Sequence, residues 1–209
     1  MSQVHQSKCR LGILLSGRGS NFTAIQTAIE QGRLPNAEIA IVISNHADAV
    51  GLTIAQEKGI PTTVFEKSRF ESRVAFDQAV TDALKAHRAD IIVLAGYDRI
   101  ISAPLLEAYP GRIINIHPSL LPAYGGKGML GIKVHQAVVA NRELESGCSV
   151  HLVTNIVDGG TVLGQSRVPV LENDTPETLA ARILEQEHQL YPQVIREFID
   201  THIAHTVLN

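Results

Sequence analysis

Short apolar runs alternate with amphipathic stretches along the first half of the chain, and this alternation constrains the fold more than any other feature. The amphipathic stretches cover residues 21–31, 48–58 and 70–87. The apolar runs between them are typical of strands and read LGILL, EIAIVIS, TTVF, DIIVLAG and RIINI. Repeated strand–helix–strand units of this kind predict a parallel sheet with covering helices.

The second half of the chain has a different character. A loop rich in Gly and Pro follows Asn115, and we expect a helix over 132–141 and strands over 149–153 and 162–170. The last helix begins at Thr175-Pro176-Glu177, where Thr175 is the N-cap, and Pro192 bends or ends it. The predicted fold class is α/β: a Rossmann-like, doubly wound, mostly parallel sheet with an antiparallel C-terminal part. We expect one domain over residues 1–209, with an extension at about 1–9 and a tail at about 201–209.

Composition limits the classes of partner. At 209 residues and 44% hydrophobic content, the chain is long enough to bury one core. A net charge of −3 offers no field that would gather nucleic acid or an anionic membrane. Two isolated cysteines and the lack of a long apolar run favour a cytoplasmic protein with neither a disulfide framework nor a thiolate metal site.

The glycine loop SGRGSN, residues 16–21, lies between the first strand and the first helix. The N–H groups of a helix N-terminus favour an anion there. A dinucleotide is disfavoured because Phe22 stands where the third glycine of that fingerprint belongs, and the second strand ends at Ser44-Asn45 rather than at an acid. We therefore expect a phosphate monoester, with Ser20 and Asn21 as helix caps. The alternative is that the glycines only permit a tight turn.

Asn115 and His117 end the strand RIINI, and the alternation of side chains puts both on one face. An amide donor and an imidazole at a strand end can polarise a carbonyl group. Asp158, in a later turn, could orient the imidazole and favour its protonated form. Two alternatives stay open: most of the nine histidines are surface or structural residues, and Asp158-Gly159-Gly160 is a simple turn.

Four motifs together resemble the folate-dependent phosphoribosylglycinamide formyltransferases of purine synthesis. They are SGRGSN, AGYDRII at 95–101, NIHPSLLP at 115–122 and SVHLVTNIVDGG at 149–160, and the resemblance extends from about residue 11 to 199. It implies transfer of a formyl group from 10-formyltetrahydrofolate, as co-substrate, to the amine of glycinamide ribonucleotide by direct attack. No metal and no acyl-enzyme are implied, and Cys148 is expected to be a packing residue. We expect a monomer or weak homodimer with small-molecule substrates and no nucleic-acid or membrane partner.

The resemblance also implies a role for each site residue. Asn115, His117 and Asp158 would be catalytic. The ribonucleotide would be bound by Gly19, Ser20, Asn21, Leu184 and Glu187. The folate would be bound by Arg73, Asp98, Arg99, Ile100, Ile101, Asn115, Thr154, Asn155 and Asp158.

Three rival functions differ in what they require. A methionyl-tRNA formyltransferase would need a further basic domain, and a 10-formyltetrahydrofolate hydrolase usually carries a regulatory domain before the first strand, where this chain has about ten residues. A non-catalytic sensor of a phosphorylated ligand would have no use for Asn115, His117 and Asp158 together.

Overall fold

The computed structural model describes residues 8–207, with side chains described as far as Thr201. The strands are β1 Cys9–Leu15, β2 Ala37–Ser44, β3 Thr62–Val64, β4 Ile91–Leu94, β5 Ile113–His117, β6 Glu145–Leu152 and β7 Val162–Pro169. The helices are α1 Ser20–Glu30, α2 Val50–Glu57, α3 Arg73–Ala86, α4 Ala103–Ala108, α5 Ile132–Ala140 and α6 Pro176–Val207, with a 3₁₀ turn at Lys67–Arg69.

The strands form one sheet in the order β3-β2-β1-β4-β5-β6-β7. The first five in this order pair in parallel, and β6 and β7 extend the sheet antiparallel. The predicted fold class is confirmed, including the antiparallel C-terminal part. Parallel strands place their carboxyl ends at one edge, so the loops after β1, β4 and β5 are neighbours there.

Each face of the sheet carries its own apolar core. On one face, Leu11, Ile13 and Leu15 of β1 pack with residues of α1, α2, α5 and α6. On the other, Leu14 packs with residues of α3 and α4. The alternation of side chains along β1 therefore supplies both cores, as the nearly continuous apolar runs predict.

The last helix differs from expectation at Pro192, where it does not end: α6 continues to Val207 and includes most of the expected tail. Proline removes one backbone donor from a helix, but Tyr191, Val194 and Ile195 around it are buried in the core. Tertiary packing therefore outweighs the local preference. Thr175 caps α6 as predicted, accepting from Thr178 N at 3.3 Å. Most of the expected N-terminal extension, residues 1–7, lies outside the described residues.

The sequence analysis missed one helix and one strand boundary. The short helix α4 was not predicted, and β6 begins at Glu145 instead of 149. Both lie where the periodic signal is weak: α4 has six residues, and the start of β6 is the polar ESG. None of the helices among residues 8–207 has the length and apolar character needed to cross a membrane.

Candidate active site

A cavity of about 570 Å³ opens at the carboxyl ends of β4 and β5, a volume typical of small-molecule sites. Its walls come from the segments after β4 and β5, the glycine-rich loop before α5, and the turn after β6. Asn115, His117 and Asp158 all line it. The structure thus brings the three predicted catalytic residues together.

The His117 ring is buried and has a polar neighbour at each nitrogen. Its Nε2 lies 2.8 Å from the carbonyl oxygen of Tyr124, and its Nδ1 lies 3.6 Å from Oδ2 of Asp158. A carbonyl oxygen only accepts, so Nε2 carries a proton in this contact. Nδ1 is therefore the nitrogen that faces the carboxylate.

Asp158 lies between two histidines. Its Oδ1 is 3.6 Å from Nε2 of His151, and its Oδ2 accepts a hydrogen bond from the N–H of Gly126 at 2.8 Å. Asp158 has a left-handed backbone with φ of 54°, and a Cβ on Gly160 would come within 1.8 Å of the Leu152 oxygen. The turn is therefore built to a tight geometry that aims the carboxylate into the cavity.

His151 is a site residue that our sequence analysis missed. It pairs opposite Asn115 across β5 and β6, and only 2% of its surface is exposed. Its Nδ1 lies 2.9 Å from the Leu152 oxygen and must donate there, so Nε2 accepts from the Asn115 amide nitrogen at 3.0 Å. Burial lowers the pKa of His151 despite the opposing effects of the Leu152 carbonyl and Asp158, which keeps the ring a neutral acceptor. The second N–H of Asn115 is left for a ligand.

A buried polar network supports the loop that follows His117. Oγ of Ser149 accepts from Leu121 N at 2.9 Å and donates to the Ser119 oxygen at 2.6 Å. Gln165 donates to Ser149 Oγ at 2.8 Å and to the Leu121 oxygen at 3.0 Å. Ser149 of β6 pairs with His117 of β5 on one side and with Gln165 of β7 on the other. The antiparallel strands therefore hold the loop that contacts His117.

The phosphate loop predicted at SGRGSN has the required backbone. Gly19 has φ of 74° and precedes α1, and Thr23 N donates the first helical bond to the Gly19 oxygen at 2.8 Å. The N–H groups of Ser20, Asn21 and Phe22 come before that bond, in the position of a helix anion site. A Cβ on Gly19 would lie 2.7 Å from the Gly51 Cα, so close packing as well as φ requires this glycine.

The predicted capping by Ser20 and Asn21 was wrong, because no side chain caps α1. The Asn21 side chain instead crosses to α6 and donates to Oε2 of Glu187 at 2.7 Å. Burial raises the pKa of Glu187, while the bond from Asn21 opposes that rise. Asn21 Oδ1 is buried and has no hydrogen-bond partner among the described residues. Leu184 is partly buried on α6, one turn before Glu187.

The residues expected to bind folate divide into two groups. Those that line the cavity are Asp98, Arg99, Ile100, Ile101, Asn115, Thr154 and Asp158. Arg73, at the start of α3, and Asn155 are exposed and do not line it. The Arg99 guanidinium stacks on the Phe76 ring at 3.9 Å, which turns its charge toward α3.

Other reactive groups near the site are inert or neutral. Burial raises the pKa of the Cys148 thiol to about 12, so the thiolate is negligible at neutral pH and the predicted packing role is confirmed. Burial, together with nearby His117, lowers the pKa of His135. Among the described residues, no cluster of three or more His, Cys, Asp or Glu side chains is suited to hold a metal ion.

Comparison with known proteins gives consistent matches over most of the chain. Residues 9–195 match the family model described as formyl transferase. Over 97% of its length the chain is 40% identical to the chloroplastic phosphoribosylglycinamide formyltransferase of Vigna unguiculata, of which it spans 65%. Over 90% of its length it is 41% identical to the phosphoribosylglycinamide formyltransferase of Escherichia coli, of which it spans 86%.

A solved structure shows the same arrangement. Glycinamide ribonucleotide transformylase 1 from Symbiobacterium toebii is 42% identical and superposes with a TM-score of 0.88, covering 93% of this chain and 89% of that one. The overall fold of the chain is therefore shared with that protein.

Proposed function

We propose that this chain, which belongs to the formyl transferase family, transfers the formyl group of 10-formyltetrahydrofolate to the amine of glycinamide ribonucleotide. The observation that carries the proposal is the arrangement at one sheet edge: Asn115, His117 and Asp158 meet in one cavity, and a helix N-terminus suited to phosphate follows the nearby strand β1. A formyl acceptor that carries a phosphate fits both parts.

In the proposed reaction, the amine of the ribonucleotide attacks the formyl carbon directly. The bond from that carbon to the folate nitrogen then breaks, and one proton passes from the amine to the departing nitrogen. Negative charge develops on the formyl oxygen in the tetrahedral intermediate. Preorganised donors aimed at such an oxygen are the main source of catalysis in reactions of this type.

Asn115 and His117 are the two donors. The Asn115 amide has one N–H committed to His151 at 3.0 Å, and its second N–H is available to the formyl oxygen. His117 has Nε2 committed to the Tyr124 carbonyl, so its transferable proton is on Nδ1. Oδ2 of Asp158 lies 3.6 Å from that nitrogen and orients the ring toward the cavity.

Substrate binding divides between two parts of the sheet edge. The phosphate lies on the N–H groups at Gly19, Ser20 and Asn21. Glu187 holds the ribonucleotide from α6, and Leu184 packs against it one turn away on the same helix. The folate occupies the cavity between the segment 98–101 and the turn 154–158. Arg73 and Asn155 act at the exposed end of the folate, since they lie outside the cavity wall.

An assay with a 10-formylfolate analogue, run with and without glycinamide ribonucleotide, tests the proposal. We expect release of deformylated folate only when the amine is present, at a rate that depends on its concentration. Release without the amine would show a hydrolase, and no release in either case would show a sensor. His117→Ala is the matched negative control, because it removes Nδ1 while leaving the phosphate loop unchanged.

A further inference from the structure

The Asp98 side chain is hydrogen-bonded to residues at the ends of two neighbouring strands. It belongs to the segment 98–101 assigned to folate, yet its carboxylate turns toward the ends of β1 and β2. Oδ1 accepts from Asn45 Nδ2 at 2.8 Å and lies 3.1 Å from Ser16 Oγ, and Oδ2 lies 3.0 Å from His46 Nε2. Its backbone N–H donates to Ser16 Oγ at 2.9 Å. A polar bracket formed by Ser16, Asn45, His46 and Asp98 thus joins the ends of three adjacent strands.

These contacts leave part of the carboxylate free. A carboxylate offers about four acceptor positions, and on Oδ2 only His46 makes a hydrogen bond among the described residues. The Asp98 side chain is also 40% exposed and lines the cavity. Burial acts to raise the pKa of Asp98, but the bonds from His46, Asn45 and Ser16 outweigh it and lower that pKa. Asp98 is therefore a charged residue of the cavity wall at neutral pH, with an acceptor position to spare on Oδ2.

The strand order places this oxygen on the path of the ribonucleotide. The phosphate loop follows β1, Asp98 follows β4, and Asn115 and His117 end β5, and these strands are consecutive in the sheet. Strands lie about 4.8 Å apart, so β1 and β5 are separated by roughly 10 Å. A ligand that spans from the phosphate loop to Asn115 must cross the end of β4. The phosphate is at one end of that ligand and the amine at the other, so the amine lies next to Asn115, one strand away from Asp98.

We propose that Asp98 is a specificity-determining residue for the ribonucleotide, whose free Oδ2 position accepts a hydrogen bond from the glycyl amine of the substrate. An α-amine has a pKa of about 7.7–8.0 and is largely protonated at pH 7, so a carboxylate binds the ammonium form with a charge-assisted hydrogen bond. The bound ammonium loses its extra proton to solvent before the neutral amine attacks the formyl carbon. Formylation converts the amine to an amide without charge. Asp98 therefore favours the substrate over the formylated product, which promotes product release.

This inference rests on the proposed function, and equilibrium binding tests it separately from activity. Titration calorimetry would compare glycinamide ribonucleotide with its N-formyl product on the wild-type protein and on Asp98→Asn. We expect Asp98→Asn to weaken binding of the amine about tenfold and to change binding of the product less than twofold. Asp48→Asn, an exposed acid near the same sheet edge, controls for the general loss of negative charge and should change neither.

Two outcomes separate recognition from a purely structural bracket. If Asp98→Asn weakens both ligands equally, the carboxylate only holds the loop and the assignment is wrong. Ser16→Ala, which loosens the bracket but keeps the carboxylate, should preserve the preference for the amine; loss of that preference would likewise overturn the proposal. Failure of the wild-type protein to bind glycinamide ribonucleotide at all would instead contradict the proposed function itself.

Discussion

The side-chain amide of Asn115 donates to Nε2 of His151 at 3.0 Å across the antiparallel pair β5 and β6. His151 can accept only while Nε2 is unprotonated, because its Nδ1 donates to the Leu152 carbonyl at 2.9 Å. The orientation of the proposed oxyanion donor therefore depends on a buried, neutral histidine.

Replacing His151 should impair the chemical step more than substrate binding. In His151→Leu, the Asn115 amide loses its acceptor and can rotate, so we expect kcat to fall by at least about tenfold with little change in KM for the ribonucleotide. His151→Gln, whose amide oxygen can accept the same bond, should recover part of the loss. Steady-state kinetics check this. Equal kcat values for His151→Leu and the wild type would contradict a positioning role.

The catalytic assignments make a stronger prediction. His117→Ala and Asp158→Asn should each lower turnover by about 100-fold or more, because each removes or misdirects an oxyanion donor, while ligand binding largely survives. Turnover and calorimetric affinity, measured on the same preparations, distinguish the two effects. Wild-type turnover in either variant would refute the assignment.

The phosphate loop offers a matched pair of glycine substitutions. Gly19→Ala should reduce the free energy of unfolding by at least about 1–2 kcal/mol and weaken ribonucleotide binding, because φ is 74° and the new Cβ meets the Gly51 Cα at 2.7 Å. Gly17→Ala is the control, since its Cβ would meet nothing within 4 Å and its φ is not positive. Denaturant unfolding of both variants measures the difference. Similar losses in both would show that the loop does not depend on Gly19.

Glu187→Gln should increase stability while reducing function. Burial raises the pKa of Glu187 in the folded protein, so its ionisation near neutral pH opposes folding, and a neutral amide removes that cost. Asn21 can still donate to the amide oxygen. We expect a higher melting temperature at pH 7 together with a higher KM for the ribonucleotide. A lower melting temperature in Glu187→Gln would contradict this account of its burial.

Acidification should destabilise the protein through its buried histidines. Burial, which is only partial for His188, lowers the pKa of His135, His151 and His188 below the ordinary histidine value of 6.5, so the unfolded chain binds protons that the folded chain does not. Their contribution to stability is present above about pH 6.5 and is lost as the pH falls below it. Unfolding free energies measured between pH 7.5 and pH 5 should decrease, and less so in His135→Gln. The buried carboxyl of Glu187 contributes with the opposite sign, because its raised pKa gives stability that is lost as the pH rises above the ordinary glutamate value of 4.5.

Several features could be predicted from the sequence because their causes are local. The apolar alternation predicts β1, β2, β4 and β5, since each strand must fill a core on both faces. Period two places Asn115 and His117 on one face at the end of β5. The capping of α6 by Thr175 depends only on neighbouring residues. The function was implied by four motifs, each of which is an unbroken segment of the sequence and can be recognised without the structure.

The rest was decided by contacts between distant parts of the chain. Asn21 bonds Glu187 instead of capping α1, across 166 residues, and His151 meets Asn115 only through the register of β5 and β6. Asp98 lines the cavity, and its carboxylate is held by Ser16, Asn45 and His46, which come from other parts of the chain. Each of these polar groups could bond either a neighbour in sequence or a residue far along the chain. A buried polar group must find a partner because water is excluded, and the packing of the whole sheet determines which partner is within reach. The sequence by itself determined the layers of the fold and the chemical types at its edge, and the tertiary structure decided which of those groups act together.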